Sequence, residues 1–530
     1  GQIAFHSFTA KLINAALSGL PRGAGRAARA VSRKALKLMS NEGVALGSIL
    51  THHARRSPSG AALILGDVRV GYGELDARAN RRARLLAAHG VGHGDFVTVA
   101  LPNGLDFYET VFAIWKLGAV PNIVSAKLAR PEMDAILDIV RPRLLVGVPP
   151  EPGVPAVAGD RGALERYSSD PLPEAVSPHW KAMTSGGSTG RPKVIVDAMP
   201  ARWNPEEGFL LQRPGDVILN PGPLYHNAPF HCINMGLFVG ATIVEMGKFD
   251  ALRALQLIEA HRVDWVTLVP TMMHRIWRLG PDVLSGFALP SLRVMLHMAA
   301  PCAAWLKEAW IGWLGSERVW EYYGTTEGIG STMISGADWL AHRGSVGRVR
   351  EGYELKILDE AGRERPVGEV GEIYFRPRGG AGSTYHYLGS TPRRVGEWES
   401  PGDLGCVDED GYLYLSDRRN DLIISGGANI YPAEVEAALD AHPAVRTSAA
   451  IGLPDEEWGA RVHAIVQPVE GAALDEAELL AFVAGRLARF KLPKSVEFTA
   501  EPLRDEAGKV RRAALRDARL GEAARQAAPS

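Results

Sequence analysis

Between Met183 and Lys193 the chain reads MTSGGSTGRPK, a run of threonine, serine and glycine closed by Arg-Pro-Lys. Adjacent glycines let backbone N–H groups turn onto an anion with no Cβ in the way; Ser188 and Thr189 add hydroxyl donors and Lys193 adds a mobile positive charge. This chemistry suits a polyphosphate. It is not a Walker A loop, because Gly190 is followed by Arg191 and no Lys-Ser/Thr pair closes the run. On composition alone an ordinary flexible loop accounts for the same residues, so the rest of the chain has to decide.

The elements around the loop alternate. Phe96–Leu101 is apolar and strand-like, Leu105–Leu117 has helical spacing, and Val120–Val124 returns to strand. The same alternation recurs over 251–276, where a helix leads into the strand Asp264–Val269, and over 292–313. It predicts an α/β architecture of layered, largely parallel sheets with ligands at strand ends. Residues 351–376 read instead as paired antiparallel strands turned at Asp359-Glu360-Ala361-Gly362, a β-rich subdomain. Past a boundary near Arg418–Asp421, Pro432 suits the first turn of a helix through Leu439, strands follow near Val445–Ile451 and Val462–Val466, and a helix runs from Asp475 to Phe490. This is a small α+β unit.

A chain of 530 residues can bury more than one core. Its formal charge is −1, from 59 Lys+Arg against 60 Asp+Glu, and no basic-plus-aromatic platform appears, so nucleic acid is not expected as a partner. Three separated cysteines, Cys232, Cys302 and Cys406, without a CxxC pair, point to a reduced cytoplasmic protein without structural zinc. The longest apolar stretch, residues 233–244, is shorter than a membrane span and holds Asn234 and two glycines; it reads as core. Residues 1–45 form a basic extension, with Arg and Lys but no Asp or Glu from Lys11 to Lys37. It reads as a packed or tethered helical segment, with peripheral membrane contact or a transit peptide as alternatives.

Further motifs follow the glycine-rich run in order: PLYH at 223–226, YYGTTE at 322–327, SPGD at 400–403, SDRRNDLIISGGANIYPAEVE at 416–436 and GKVRR at 508–512. Together they resemble the adenylate-forming superfamily of acyl-CoA synthetases, peptide-synthetase adenylation domains and firefly-type luciferases, over about residues 46–516. The resemblance implies a large domain over 46–419 and a small mobile domain over 420–530, hinged near Asn420. It also implies activation of a carboxylic acid by ATP with Mg2+. The carboxylate attacks the α-phosphorus, pyrophosphate leaves, and the acyl-adenylate passes its acyl group to a second nucleophile.

The residues that the resemblance assigns are these. Thr184, Ser185, Gly186, Gly187, Ser188, Thr189 and Lys193 hold the β- and γ-phosphates. Glu327 is the Mg2+ ligand and Thr326 donates to the α-phosphate. Asp403 takes the ribose hydroxyls, and Arg418 touches the ribose or phosphate. Tyr323 and the Ala299-Ala300-Pro301 loop flank the adenine, with Glu321, Tyr322, Gly324 and Thr325 around the nucleotide. Lys509 reaches the reacting oxygens and His226 gates access, although a half-buried structural histidine remains open. Ser425, Gly426 and Gly427 line a pantetheine tunnel. The Asn-Ile-Tyr-Pro run at 429–432 resembles CoA ligases, which favours coenzyme A over a carrier protein as acceptor.

The acyl pocket is expected from Tyr225, Asn227, Ala228, Phe230, His297, Met298, Ala299, Tyr322, Gly324 and Ile329. The HMAAPC and YHNAPFH runs look similar to the branch with bile-acid and other polycyclic-acid CoA ligases, which implies a bulky, cyclic acid; long-chain fatty or aryl acids, a carrier-loading acyl-AMP ligase and a silent nucleotide-binding homologue stay open. His297-Met298, Asn420 and His386 depart from the common pattern at the pocket and the hinge.

Overall fold

The computed structural model describes residues 43–151, 153–157, 163–186, 192–199, 201–418, 421–425, 428–455, 458–505 and 508–527. The basic extension therefore lies outside the described residues, as do Gly187, Ser188, Thr189, Asn420, Gly426 and Gly427. Arg418 is described only through its backbone.

Two sheets organise the large domain. In the larger, 15-stranded among the described residues, the central strands run parallel in the order Ala61–Leu65, Thr242–Glu245, Val217–Asn220, Trp265–Leu268, Val294–His297 and Val319–Gly324. Their carboxyl ends therefore share one edge. There the chain leaves through Val269, through Met298 to Pro301, and through Thr325 to Glu327. Helices Ala251–Ala260, Pro270–Trp277 and Ala304–Leu314 cover one face; Leu255, Ile258, Met273, Ile276, Trp310 and Val319 form its core. The sheet then turns antiparallel through Ser331–Ser335, Ser345–Val349 and Tyr412–Arg418 to the β-rich edge.

The second sheet places Phe96–Val99, Val120–Ile123, Leu144–Val146 and Ala182–Gly186 in parallel. Ala182–Gly186 then folds back on Pro192–Asp197, with Ser185 opposite Lys193. Tyr385–Leu388 pairs antiparallel with the outer arm of that hairpin. Between the sheets helix Leu105–Lys116 is buried on every side. Its aromatic residues Phe107, Phe112 and Trp115 meet Phe230, Phe238 and Trp180 in edge-on and stacked contacts, and its buried charges are paired, Glu109 with Arg82 and Lys116 with Asp76.

The small α+β domain pairs Val445–Asp455 with Gly459–Pro468 antiparallel and adds Ser495–Phe498 in parallel. Helices Pro432–Asp440 and Glu476–Ala484 close its core of Ile423, Val435, Leu439, Val462, Val466, Leu479 and Val483. One local expectation changes. The helix expected over Asp475–Phe490 is capped by Asp475 Oδ1, which accepts from Glu478 N at 2.7 Å; it ends at Ala484, where Gly485 and a short 3-10 turn over Arg489–Lys491 replace it. The turn at Asp359–Gly362 forms, Leu358 bridges to Glu364 just past it, and strand Tyr353–Leu358 pairs antiparallel with Gly371–Pro377. The apolar run 233–244 ends one buried helix at Phe238 and opens the strand Thr242–Glu245.

Candidate active site

Lys193 stands on the return arm of the glycine-rich hairpin, and its ammonium reaches across to the other sheet. Nζ donates to Glu327 Oε1 at 3.2 Å and to the Tyr387 hydroxyl at 2.8 Å, and lies 4.2 Å from the Tyr387 ring centre. The Tyr387 hydroxyl in turn donates to Glu327 Oε1 at 2.6 Å. Burial pushes the Glu327 carboxyl up, but the Lys193 charge and the Tyr387 hydrogen bond outweigh it and hold the group below the usual carboxylate range. Glu327 is ionised, half-sheltered, and set just past the carboxyl end of a central parallel strand.

The surroundings fit phosphate and a divalent cation. Thr325 Oγ1 and Thr384 Oγ1 are buried with no hydrogen-bond partner among the described residues, and a Cβ on Gly328 would stand 3.8 Å from Thr384. Buried hydroxyls without a partner among the described residues can serve a ligand with matching donors and acceptors. Among the described residues no group of three His, Cys, Asp or Glu could hold a metal. A cation there would rest on Glu327, ligand oxygens and water, the coordination Mg2+ prefers. Thr184 Oγ1 donates to the Ile123 carbonyl at 3.1 Å.

Next along the strand edge, Tyr323 donates through its hydroxyl to Asp403 Oδ2 at 2.7 Å. Asp403 and Arg418 are register partners in the antiparallel pair Asp403–Val407 with Tyr412–Arg418. Ala299, after strand Val294–His297, has φ 76°, a left-handed backbone rare for a residue with a Cβ. His226 is the N-cap residue of helix Asn227–Phe238, and its ring lies 4.5 Å from that of Tyr225. Lys509 is exposed, held in a turn by its N–H donating to Asp505 Oδ1 at 2.9 Å. The preceding Gly508, φ 77°, sits so close to Thr271 that a Cβ would come within 2.9 Å of its hydroxyl. The lysine turn thus abuts the carboxyl edge of the central strands.

Residues 50–386 match the family described as AMP-binding enzyme, and residues 434–509 match the AMP-binding enzyme C-terminal domain. The chain belongs to the AMP-binding enzyme family. It is an enzyme of the adenylate-forming ligases. Feruloyl-CoA synthase of an Amycolatopsis species is 34% identical over 502 residues, 90% of this chain and 99% of that one. The long-chain-fatty-acid–CoA ligase FadD13 of Mycobacterium tuberculosis is 30% identical over 500 residues, 89% and 98%. The solved o-succinylbenzoate CoA synthetase of Bacillus subtilis, in complex with its acyl-adenylate, superposes with TM-score 0.76 at 27% identity over 89% of this chain and 98% of that one; the same enzyme has been solved with ATP and magnesium.

Several expected site residues of this AMP-binding enzyme occupy other surroundings. His297 is fully buried, with neither ring nitrogen hydrogen-bonded, and burial together with the Lys307 charge drives its pKa far down. Glu321 gives its carboxylate to Lys307. Phe230 and Ile329 are core residues at 0% and 1% exposure. All four are buried in this structure. Gly324 is exposed, and a Cβ there would stand 2.8 Å from the Tyr322 ring. Two functional candidates escaped the sequence reading. Tyr387 had a signal, the alternation of Tyr385, His386 and Tyr387 that turns both tyrosines to one face. Lys181 had only the anomaly of a lysine leading into an apolar strand.

Proposed function

We propose that this AMP-binding enzyme is an acyl-CoA synthetase that adenylates a bulky, cyclic or polycyclic carboxylic acid with ATP and Mg2+. It then transfers the acyl group to coenzyme A, releasing AMP and pyrophosphate. The observation that carries this is the Lys193–Tyr387–Glu327 relay joining the glycine-rich hairpin to the strand edge. Relatives that act on aryl and fatty acids support the ligase chemistry.

Adenylation makes little covalent demand on the protein; it needs positioned charges and donors. Lys193 and the donors of residues 184–189 hold the terminal phosphates. Tyr387 fixes Lys193 and Glu327 against each other. Mg2+, bound at Glu327, would neutralise phosphate charge. Thr326 donates to the α-phosphate, Asp403 accepts the ribose hydroxyls with Tyr323 as its anchor, and Lys509 approaches the reacting oxygens. Small side chains at Ala228 and Ala299 leave room for a ring. Ser425, with Gly426 and Gly427, borders the pantetheine path after the small domain turns about residue 420. No helix among the described residues is long and apolar enough to cross a membrane, and we place the enzyme in the cytoplasm, where its ATP and CoA are.

The test is acid-dependent pyrophosphate release with hydroxylamine trapping over fatty, aryl, bile-acid-like and diterpenoid carboxylates, followed by CoA and a carrier protein as acceptors. Hydroxamate from a cyclic acid and thioester with CoA are expected. Preference for slender chains would overturn the substrate reading; thioester on the carrier alone would overturn the acceptor.

A further inference from the structure

Lys181 immediately precedes strand Ala182–Gly186, and its carbonyl accepts from Asp197 N at 3.1 Å. Its side chain turns to the start of helix Asn227–Phe238. Nζ donates to Asn227 Oδ1 at 2.6 Å, stands 3.5 Å from His231 Nδ1 and lies 4.5 Å from the Trp180 ring centre. The residue is 2% exposed. Asp197 and Glu327 act on the ammonium through space, yet among the described residues no carboxylate comes within the 4.0 Å of an ion pair. Lysines normally carry their charge out to water along a flexible stem. This one is held inside.

A second cation acts on His231 through space. Arg350 follows strand Ser345–Val349, and its guanidinium lies 5.9 Å from the Phe209 ring centre and 6.0 Å from that of Tyr322. It also makes no ion pair among the described residues. Phe209 stacks on His231 with centroids 4.5 Å apart and planes 11° from parallel. Burial, Lys181 and Arg350 together push His231 well below its usual range, so its ring is neutral. Two positive charges thus act on one neutral imidazole, with no carboxylate in ion-pair contact with either cation among the described residues. The buried Lys181 charge is costly unless something of the other sign arrives, and Arg350 is half-buried.

We infer that Lys181, His231 and Arg350 form the far end of the acyl site, and that the acid bound there carries a second carboxylate remote from the carboxyl that is adenylated. The inference rests on the acyl-CoA synthetase reading above, through Asn227 and Tyr322, which that reading gives to the acyl group. The reacting carboxyl belongs beside Thr326 and Lys509, so the group that meets Lys181 and Arg350 is a different one. Lysine supplies a point charge and arginine a planar fork matched to a carboxylate.

The experiment compares matched pairs with and without the distal carboxylate: 3-(4-carboxyphenyl)propanoate against 3-phenylpropanoate, hexadecanedioate against hexadecanoate, and a steroid C24 acid as its 3-hemisuccinate against its 3-hydroxyl form. Pyrophosphate release gives kcat/KM for each with the full chain, ATP and Mg2+. In at least one pair the diacid should lead by about 10- to 100-fold, the scale of a charge-assisted hydrogen bond. Lys181→Met and, at a half-buried position, Arg350→Gln should each collapse the ratio by a similar factor, with the circular dichroism of the folded protein retained. Monoacid or neutral hydroxyl forms that equal their diacids in every pair turned over, or a ratio that survives both substitutions, overturn the inference while leaving the synthetase reading intact. Release with no member of any pair overturns that reading, and this one with it.

Discussion

Replacing Lys181 with methionine should make the protein more stable near neutral pH, and the gain should vanish as pH rises. Burial pulls the Lys181 ammonium from 10.5 down to about 8, against the pull of Asp197, Cys232 and Glu327. That displacement corresponds to about 3 kcal/mol of differential stability. The sign follows from proton counts: between pH 8 and 10.5 the unfolded chain holds the proton that the folded chain has released, so folding becomes more favourable as pH climbs through that window. Below pH 8 both states are protonated and the full cost stands. Methionine removes the charge and keeps most of the stem's volume, with sulfur over the Trp180 ring, but leaves Asn227 without its donor at a cost of about 1 kcal/mol. The net gain at pH 7 is therefore about 2 kcal/mol, changing to a loss of about 1 kcal/mol near pH 10.5. Paired urea unfolding of wild type and Lys181→Met at each pH from 7 to 10.5 isolates the term, since other titrating groups are common to both. A difference that does not change with pH, or a variant less stable at pH 7, would refute the reasoning.

Tyr387→Phe takes a donor from Glu327 and an anchor from Lys193, so the acid limb of the pH–rate profile should move up and more Mg2+ should be needed for half-maximal rate; pyrophosphate release against pH and Mg2+ reads both, and no shift in either would remove Tyr387 from the site. Lys509→Ala should slow adenylation by about 10²- to 10³-fold, the scale of one preorganised electrostatic contact, while added acyl-adenylate restores thioester formation; equal loss in both half-reactions would contradict the assigned part. Ala299→Gly should raise stability by about 1 kcal/mol by relieving a left-handed backbone. Ala299→Leu should cost bulky ring acids about 1–3 kcal/mol more than slender ones, and an unchanged substrate ranking would put the ring space elsewhere.

What the sequence could convey depended on whether a residue's part is local. The glycine-rich run, the strand–helix alternation over 96–124 and the proline opening helix Pro432–Asp440 are local facts, and each element formed within a few residues of its expected bounds. The helix expected to Phe490 overran because apolar spacing continues past Gly485, and spacing is blind to where tertiary contacts end. Tyr387 could not be ranked, because its worth comes from strand Tyr385–Leu388 pairing with Pro192–Asp197, nearly two hundred residues earlier. Two residues expected in the acyl pocket are enclosed. His297 and Phe230 sit beside motif residues in sequence, but strand and helix periodicity turns them inward, where Lys307 and the aromatic cluster enclose them.

The charges of the two proposed halves of the site are met differently. In the phosphate half, opposite charges on Lys193 and Glu327 satisfy one another, with Tyr387 between them. Lys181 and Arg350, proposed for the acyl half, have no carboxylate partner among the described residues. A fold seeking stability alone would place a methionine at 181, since a buried, uncompensated cation is the costlier choice. Retaining the charge makes sense where a ligand brings the counter-ion. The bound diacid should then raise the Lys181 pKa back towards 10.5, lift the melting temperature more at pH 7 than its matched monoacid does, and lose that advantage in Lys181→Met. Equal lifts from diacid and monoacid in the wild type would show that the cation is tolerated for packing rather than kept for recognition.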